Sequence, residues 1–336
     1  MTHAPLIEAK EVSKTFGTKK RRIQAIHAVS LAIYPRETVG LVGESGCGKT
    51  TLGRTLMGLY PPSQGAVFFQ GNNLSTLPRR DTKALAKHMQ YIFQDPFASL
   101  NPRMTAGEIL AEPLKIHKIM RSPAERQQEV EKLLTLVGLS PNHSRRYPHE
   151  FSGGQRQRIC IARALALNPP FIVCDEPIAA LDVSIQAQIV NLLKQLQQEM
   201  GLTYLFISHD LSMVKHIADR VAVMYLGHLV ELAPSHALYN HALHPYTEAL
   251  LSAIPLPDPT SYQKKTRVLL KGELPSLLHP PRGCPFCTRC PKAMPLCFEK
   301  KPPLRPVAPD HAVACHLYTE SDSKIGVLPV PPPSSC

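Results

Sequence analysis

The sequence predicts an α/β protein built on a mostly parallel, helix-covered sheet, followed by a small irregular segment that contains cysteines. Up to about residue 254, short apolar runs alternate with helical stretches, and one run leads directly into a glycine-rich loop. Beyond residue 254 lie 17 of the 33 prolines and six of the nine cysteines. Runs that are apolar throughout are typical of strands buried on both faces, whereas prolines interrupt regular structure. We therefore expect a main domain at 1–254, a Pro/Cys-rich extension at 255–320 and a flexible tail at 321–336.

The composition fits a folded protein with an anionic partner. Apolar residues make up 43%, and 38 Lys+Arg against 26 Asp+Glu give a net charge of +12. Such an excess suits a nucleotide, a nucleic acid or an acidic lipid surface. No stretch approaches the ~18 apolar residues of a membrane-spanning helix, and the N-terminus lacks a signal-peptide pattern. We expect a cytosolic chain, in which disulfides are rare, so the cysteines indicate packing, chemistry or metal binding.

Four buried strands and one helix are predicted most clearly. Each strand candidate is a short apolar run between helical stretches, and the helix is closed by Gly201. The strands are expected at 38–42, 171–174, 203–207 and 221–224, and the helix at 191–200.

The segment from Gly43 to Thr50 fits the phosphate-loop pattern G-x-x-x-x-G-K-[ST] and lies between the first predicted strand and a helix-like stretch. In such a loop, backbone N–H groups and a helix N-terminus attract phosphate oxygens. We expect Lys49 to reach the β- and γ-phosphates of ATP, Thr50 to ligate Mg²⁺, and the Cys47 thiol to be exposed. The expected ATP-binding residues of the loop are Gly43, Ser45, Gly46, Cys47, Gly48, Lys49, Thr50 and Thr51.

Two acidic residues follow the predicted strand at 171–174. The carboxyl end of a buried parallel strand is where open α/β sheets bind ligands. We expect Asp175 to hold Mg²⁺ through water and Glu176 to polarise the attacking water.

The run Phe151-Ser-Gly-Gly-Gln155 lies between the phosphate loop and Asp175. With these motifs in this order, the chain resembles the ATP-binding subunits of ABC transporters, whose signature typically reads Leu-Ser-Gly-Gly-Gln. Ser-Gly-Gly at a helix start forms a second anion site. The resemblance implies an ABC-type P-loop ATPase, with a RecA-like core sheet and a helical subdomain at about 95–165. It also implies a head-to-tail dimer, in which ATP is held in trans by Ser152, Gly153, Gly154 and Gln155.

Further positions match the family in order. Gln94 matches the glutamine that senses Mg²⁺ and the membrane partner, Asp182 the D-loop aspartate that couples the two ATP sites, and His209 the histidine that contacts the γ-phosphate. Phe16 matches the aromatic residue that stacks on adenine, although taken alone it fits a core or loop position better. The resemblance thus implies ATP and Mg²⁺ as cofactors, with Glu176, His209 and Gln94 as catalytic residues and Thr50, Gln94 and Asp175 as the Mg²⁺ site.

Three segments narrow the resemblance to the dipeptide/oligopeptide importer branch: 94–105, 244–247 and 272–275. Arg103 and Leu52-Gly53-Arg54 are similar to the second, F-type member of the two paralogous ATPases of such importers. The resemblance implies uptake of di- or oligopeptides by an assembly of this chain, a paralogous ATPase, two permease subunits and an extracytoplasmic solute-binding protein. It places the chain peripherally on the cytoplasmic face of the inner (plasma) membrane, without nucleic acid. Nickel or another solute is the alternative cargo.

The extension carries the family's four-cysteine pattern at Cys284, Cys290, Cys297 and Cys315, which in some members binds a [4Fe–4S] cluster. Zinc is the rival, with His311 or His316 as substitute ligands, and free thiols are the third alternative. Cys287 departs from the pattern and creates Cys-x2-Cys-x2-Cys; it is either a spare thiol or an alternative ligand.

Two other classes of protein share some of these sequence features. An ABC-type DNA repair ATPase also suits a net charge of +12 and metal-binding cysteines, but the 152 − 94 = 58 positions from Gln94 to Ser152 leave no room for a long coiled coil or a DNA-binding insertion. A metal-binding regulator with a silent ATPase is disfavoured by the intact Lys49, Asp175, Glu176 and His209.

Overall fold

The structure is a computed structural model that describes residues 4–18, 21–78, 84–120, 122–179, 181–254 and 280–318, together with 270, 272, 275, 276 and 278. The expected boundary at residue 255 and the tail at 321–336 lie outside the described residues. The strands are β1 Ile7–Thr18, β2 Arg21–Ile33, β3 Thr38–Val42, β4 Gln64–Phe69, β5 Asn72–Asn73, β6 Met89–Ile92, β7 Phe171–Asp175, β8 Thr203–Ile207, β9 Arg220–Tyr225, β10 His228–Pro234, β11 Arg305–Ala308 and β12 His311–Val313.

The described helices follow the phosphate loop, and four of them lie between β6 and β7. They are α1 Lys49–Leu56, α2 Pro96–Ser99, α3 Ala106–Ile116, α4 Pro123–Leu136, α5 Gly153–Leu165, α6 Val183–Met200, α7 Leu211–Ile217, α8 Ser235–Asn240, α9 Pro245–Ser252 and α10 Pro295–Glu299. The predicted helix at 191–200 is the C-terminal part of α6, which ends at Gly201 in the left-handed conformation (φ 65°).

The central sheet has eight strands in the order β11-β12-β10-β9-β3-β8-β7-β6. The pairs β9–β3, β3–β8, β8–β7 and β7–β6 are parallel, and β10, β12 and β11 continue the sheet in antiparallel pairing. All four predicted strands lie in the parallel part, and β3, β7 and β8 are buried at every position. The predicted α/β fold with a mostly parallel sheet is confirmed.

Two hydrophobic cores cover the two faces of this sheet. Successive residues of β7 alternate between them: Phe171 and Val173 face one core, and Ile172 and Cys174 face the other. The first core includes α1 and a four-stranded antiparallel sheet of order β2-β1-β4-β5, which the sequence did not predict. Register shifts interrupt the β1–β2 pairing, so the apolar alternation that identifies a half-buried strand is broken there.

The segment between β6 and β7 is helical and carries strong start signals. Helices α3, α4 and α5 each begin with a capping box, in which the N-cap side chain and a glutamate or glutamine at the third helical position exchange hydrogen bonds. The N-cap residues are Thr105, Ser122 and Ser152. The Ser-Gly-Gly run therefore stands at a helix N-terminus, as predicted.

The cysteine-containing segment is joined to the main body by backbone and by charge. Strand β12 pairs with β10, so residues after 304 extend the central sheet. Glu231 is wholly buried, and its Oε1 lies within hydrogen-bond distance of His311 Nε2, at 2.8 Å. The same carboxylate accepts hydrogen bonds from the backbone N–H groups of Leu243 and His244. These contacts tie β11 and β12 to β10.

Within the described residues, no helix combines the length and the apolar character needed to cross a membrane.

Candidate functional site

The phosphate loop connects β3 to α1, and two of its glycines are required by space as well as by backbone conformation. Gly43 has φ 149°, and a Cβ there would lie 2.2 Å from the Met224 carbonyl oxygen. Gly48 has φ 105°, and its Cβ would lie 2.4 Å from the Ala25 carbonyl oxygen. The loop can therefore approach β9 and β2 only with glycine at these positions.

Lys49 is buried at the base of the loop. Its Nζ donates to the carbonyl oxygens of Gly43 at 2.8 Å and Glu44 at 3.0 Å, so its ammonium stands inside the curve of the loop. The expectation of an exposed Cys47 is wrong. Its side chain faces the interior with 1% exposure, and burial raises the pKa of the thiol. Ser45 and Gly46 are the exposed part of the loop.

The two predicted Mg²⁺ ligands Thr50 and Asp175 meet directly. Thr50 Oγ1 donates to Asp175 Oδ1 at 2.9 Å, and Tyr91 Oη donates to Asp175 Oδ2 at 2.7 Å. Both carboxylate oxygens of Asp175 are therefore fixed by hydroxyl groups, and the residue is only 2% exposed. Burial, and then the neighbouring Asp175 carboxylate, raise the pKa of Tyr91 far above its usual range, so the phenol keeps its proton.

The three predicted catalytic residues gather around one carboxylate oxygen. Gln94 Nε2 donates to Glu176 Oε2 at 3.0 Å, and His209 Nδ1 lies 3.4 Å from the same oxygen. Glu176 has φ 46°, an uncommon conformation for a glutamate, and its backbone N–H donates to the Ile207 carbonyl oxygen at 2.9 Å. The ends of β6, β7 and β8 thus bring together residues that lie up to 209 − 94 = 115 positions apart.

The signature residues lie at the start of α5. Ser152 is exposed, and its Oγ accepts the Gln155 N–H at 3.3 Å while Gln155 Oε1 accepts the Ser152 N–H at 3.0 Å. A Cβ on Gly154 would lie 2.6 Å from the Ile185 side chain, and Gly153 precedes it in the first turn. Asp182 is the N-cap of α6 but makes no capping hydrogen bond with its exposed side chain.

Phe16 lies near the end of β1, and its side chain is 38% exposed. Tyr60 meets its ring edge-on at a centroid distance of 5.5 Å, and Lys14 Nζ lies 5.1 Å from the ring centroid. The ring thus contacts both neighbours while part of its surface stays exposed.

The chain matches two protein-family models. Residues 26–179 match the family model described as ABC transporter, and residues 230–297 match that of the oligopeptide/dipeptide transporter C-terminal region. The putative oligopeptide transport ATP-binding protein YkfD of Bacillus subtilis is 58% identical over 325 residues, which cover 96% of this chain and 99% of the relative. The chain belongs to the ABC transporter family. It is an ABC ATPase.

A second relative and a solved structure are also similar to this ABC ATPase. The oligopeptide transport ATP-binding protein OppF of Haemophilus influenzae is 53% identical over 306 residues, covering 91% of this chain and 92% of the relative. Among solved structures, the dimeric post-hydrolysis state of the ATP-binding cassette MJ0796 bound to ADP and Pi superposes with a TM-score of 0.63 at 30% identity. It covers 68% of this chain and 98% of that one. The predicted family and fold are confirmed.

Backbone hydrogen bonds link three cysteines of the extension: the Cys284 N–H donates to the Cys297 carbonyl oxygen at 2.7 Å and the Cys287 N–H to the Cys284 carbonyl oxygen at 3.1 Å. Burial raises the pKa of Cys284 to about 12 and that of Cys315 to about 11, and the charges of other cysteines of the segment add to both shifts. The departing residue Cys287 is 3% exposed and belongs to the same group. Among the residues that the structure describes, no group of three or more His, Cys, Asp or Glu side chains is arranged to hold a metal ion.

The two histidines considered as substitute ligands are engaged elsewhere. His311 Nε2 bonds to Glu231, and His316 Nε2 bonds to the Lys300 carbonyl oxygen, both at 2.8 Å. The contact of His311 anchors β12 to β10, and the contact of His316 anchors its loop to Lys300. These contacts do not make the two histidines additional donors beside the thiols.

Sequence reasoning missed the residues of the ABC ATPase that hold the site from behind. Tyr91 belongs to none of the motifs that the sequence shows, yet it fixes Asp175. Tyr246 lies in the segment 244–247 that resembles the importer branch, yet its Oη also accepts the Glu44 N–H at 2.8 Å. Arg289, 245 positions from the loop, pairs with the Glu44 carboxylate at 2.8 Å. A tyrosine in a buried strand is a weak signal, and nothing local identifies the other two.

Proposed function

We propose that this chain is one of two ATPase subunits of an ABC importer, in which ATP binding and hydrolysis drive the uptake of di- and oligopeptides. One observation carries the ATPase part: the carboxylate of Glu176 stands with Gln94 and His209 at the strand ends, beside Thr50 and Asp175. The cargo is supported by the named relatives, which span nearly the whole chain and share its C-terminal region.

The reaction follows from the positions of these groups. Lys49 and the exposed N–H groups of the loop bind the β- and γ-phosphates, and the N-terminus of α1 favours their charge. Glu176 accepts a hydrogen bond from the attacking water and orients it toward the γ-phosphorus. His209 contacts the γ-phosphate and keeps the Glu176 carboxylate in place. Cleavage of the bond to the γ-phosphate therefore changes the contacts of His209 at the end of β8.

The oxygen donors at the site suit Mg²⁺, which prefers hydroxyl, carboxylate and amide oxygens and retains several waters. Thr50 would bind it directly, Asp175 would hold it through water, and Gln94 would contribute its amide oxygen. When bound, Mg²⁺ offsets the charge that develops on the phosphates. Because Thr50 and Asp175 already touch, little rearrangement of this chain is needed.

Hydrolysis is completed by a second ATPase in the proposed assembly. Ser152, Gly153, Gly154 and Gln155 present an exposed helix N-terminus that binds the γ-phosphate held by the partner, and Asp182 couples the two sites. We propose the paralogous ATPase as that partner, arranged head to tail. Phe16 stacks on the adenine ring.

The domain organisation proposed for this mechanism is a nucleotide-binding domain at 1–254, with a helical subdomain at about 95–165, followed by the 255–320 extension. The helical subdomain contacts two permease subunits, and Gln94 relays its position to the ATP site. The assembly works at the cytoplasmic face of the inner membrane, where the chain is peripheral and receives no cargo itself. A solute-binding protein on the other side delivers the peptide.

The test is reconstitution of this chain with its paralogous ATPase, permeases and binding protein in liposomes. We expect ATP-dependent accumulation of labelled dipeptide or tetrapeptide, lost when Lys49 is replaced by alanine. Uptake of a nickel complex without peptide uptake would overturn the cargo assignment. An assembly that binds ATP but never releases phosphate would overturn the ATPase mechanism.

For the extension, we propose a [4Fe–4S] cluster held by Cys284, Cys290, Cys297 and Cys315. Support comes from the donor chemistry: Cys284 and Cys297 are buried, Cys290 and Cys315 are partly buried, and four thiolates are the usual ligand set. In the residues that the structure describes, these side chains are not arranged as a metal site. A bound cluster would supply a cross-link between segments and a redox-active centre. The test is iron, acid-labile sulfide and zinc on full-length protein purified without oxygen. About four irons and four sulfides per chain are expected; zinc near one per chain without sulfide would replace the cluster by a structural zinc site.

A further inference from the structure

The cysteine-containing segment lies against the back of the phosphate loop. Phe286 is wholly buried, and its ring meets Tyr225 at a centroid distance of 5.2 Å and Tyr246 at 5.4 Å. Tyr225 and Tyr246 also touch each other, at 4.7 Å. An aromatic cluster from three distant parts of the chain therefore fixes the segment beside the end of β9, which the loop glycine Gly43 also approaches.

Arg289 extends from this segment to the loop itself. Its Nη1 donates to Glu44 Oε2 at 2.8 Å and to Tyr225 Oη at 3.4 Å, and the two charged side chains are only 10% and 27% exposed. Two successive turns orient the arginine, since the Cys287 N–H donates to the Cys284 carbonyl and the Arg289 N–H to the Phe286 carbonyl. An arginine guanidinium keeps its charge throughout the working pH range, so this contact is an ion pair.

Glu44 is consequently held through all of its polar groups. Its N–H donates to Tyr246 Oη, its carbonyl accepts from Lys49, and its carboxylate pairs with Arg289. Two of these three partners come from residues after 245. The residue that follows Gly43 is thus positioned by the downstream part of the chain rather than by the loop alone.

The charge of Glu44 makes this pairing matter for ATP. A carboxylate in a loop that binds a triphosphate repels the ligand unless a cation neutralises it, and a half-buried charge is screened little by solvent. Removing one partner of such a pair leaves the other uncompensated. Lys292 of the same segment pairs with Glu248 of α9, and because these side chains are 49% and 35% exposed, the pair offers a more solvated comparison.

We propose that Arg289 is a positioning residue for ATP binding: it neutralises and anchors Glu44, so that the cysteine-containing extension sets the nucleotide affinity of the phosphate loop. The proposal rests on the proposed ATPase function and is independent of any metal in the extension. It predicts an effect on binding rather than on bond cleavage, because Arg289 touches neither Glu176 nor His209.

The experiment measures KM and kcat for ATP, together with fluorescent-nucleotide binding, on the assembled complex at low and high salt. Arg289→Met is expected to raise KM and the dissociation constant roughly tenfold, the size of one unpaired charge near a phosphate site, with kcat within about twofold. Arg289→Lys, which keeps the charge without the planar fork, recovers most of the affinity. Because the Glu44 side chain is only 27% exposed, the loss is expected to persist at high salt.

Two variants separate this role from a folding defect. The double variant Glu44→Gln/Arg289→Met lacks the uncovered carboxylate and is expected to recover most of the affinity that Arg289→Met loses, with Glu44→Gln alone as its reference. Lys292→Met, the matched control, keeps the wild-type KM. An unchanged KM in Arg289→Met, or a double variant as impaired as the single one, overturns the inference. A wild-type complex without ATP turnover would instead overturn the proposed function.

Discussion

Acid should destabilise this protein in part through one buried imidazole, His244. Its Nδ1 accepts the Tyr246 N–H at 3.1 Å at the start of α9, and its ring lies 5.7 Å from that of Phe286. Burial lowers the pKa of His244 from 6.5 to about 4, although the Glu231 carboxylate acts in the opposite direction. His244 is 1% exposed, so the folded chain resists protonation that the unfolded chain accepts.

The sign and size follow from proton linkage. A folded-state pKa below the unfolded one means that the unfolded state binds more protons between pH 6.5 and about 4, so stability is complete above this window and falls as pH drops through it. At 1.36 kcal/mol per pKa unit, His244 accounts for a loss of about 3 kcal/mol across the window. The pKa values of His27 and His228 are lowered to about 4 and about 3, so these two residues add to the stability that the wild-type protein loses in acid.

The variant His244→Asn isolates the contribution of His244. Asparagine keeps the helix cap but does not titrate, so it adds a constant cost from the lost ring and removes the pH-dependent part. Urea unfolding from about pH 7.5 to about pH 4 should show wild type losing about 3 kcal/mol more than the variant. His216→Asn, at an exposed position of α7, is the control and should follow wild type. Parallel losses in wild type and His244→Asn would refute the reasoning.

Three further predictions concern the site. Glu176→Gln should lower phosphate release by at least ~10²-fold while ATP-bound dimers accumulate, seen by phosphate assay and size-exclusion chromatography, because the amide cannot act as a base. Gly48→Ala should abolish nucleotide binding, since its Cβ would lie 2.4 Å from the Ala25 carbonyl oxygen at φ 105°. Tyr91→Phe should lower the free energy of unfolding in urea by about 1.5–3 kcal/mol, because a buried charged Asp175 loses a hydrogen bond of 2.7 Å.

Controls make these outcomes specific. Gly46→Ala shares a positive φ of 77° but has open space around its Cβ, so it should bind nucleotide better than Gly48→Ala. For Glu176→Gln, normal phosphate release would contradict the assigned role. Tyr91→Phe keeps the ring beside Phe93, at a centroid distance of 4.8 Å, so wild-type stability in that variant would show that the hydroxyl contributes nothing.

The sequence was sufficient wherever a local pattern encodes local structure. The strand at 38–42, the glycine loop and the helix that follows read correctly because an apolar run, glycines at positive φ and a helix start are each decided by neighbours along the chain. Ser152 was placed at a helix N-terminus for the same reason. The antiparallel sheet of β1, β2, β4 and β5 was missed because β-bulges erase the period-two pattern on which such a prediction depends.

What the sequence alone determined is therefore the α/β class and the family, and it supplied the candidate site residues. Only the tertiary structure decided that Cys47 faces the interior, that Tyr91 fixes Asp175, and that Arg289 reaches Glu44 across 245 positions. These facts depend on how parallel strands align in register and on how the extension packs against β9. Such contacts join residues that no local pattern relates, so they emerge only when the chain is folded.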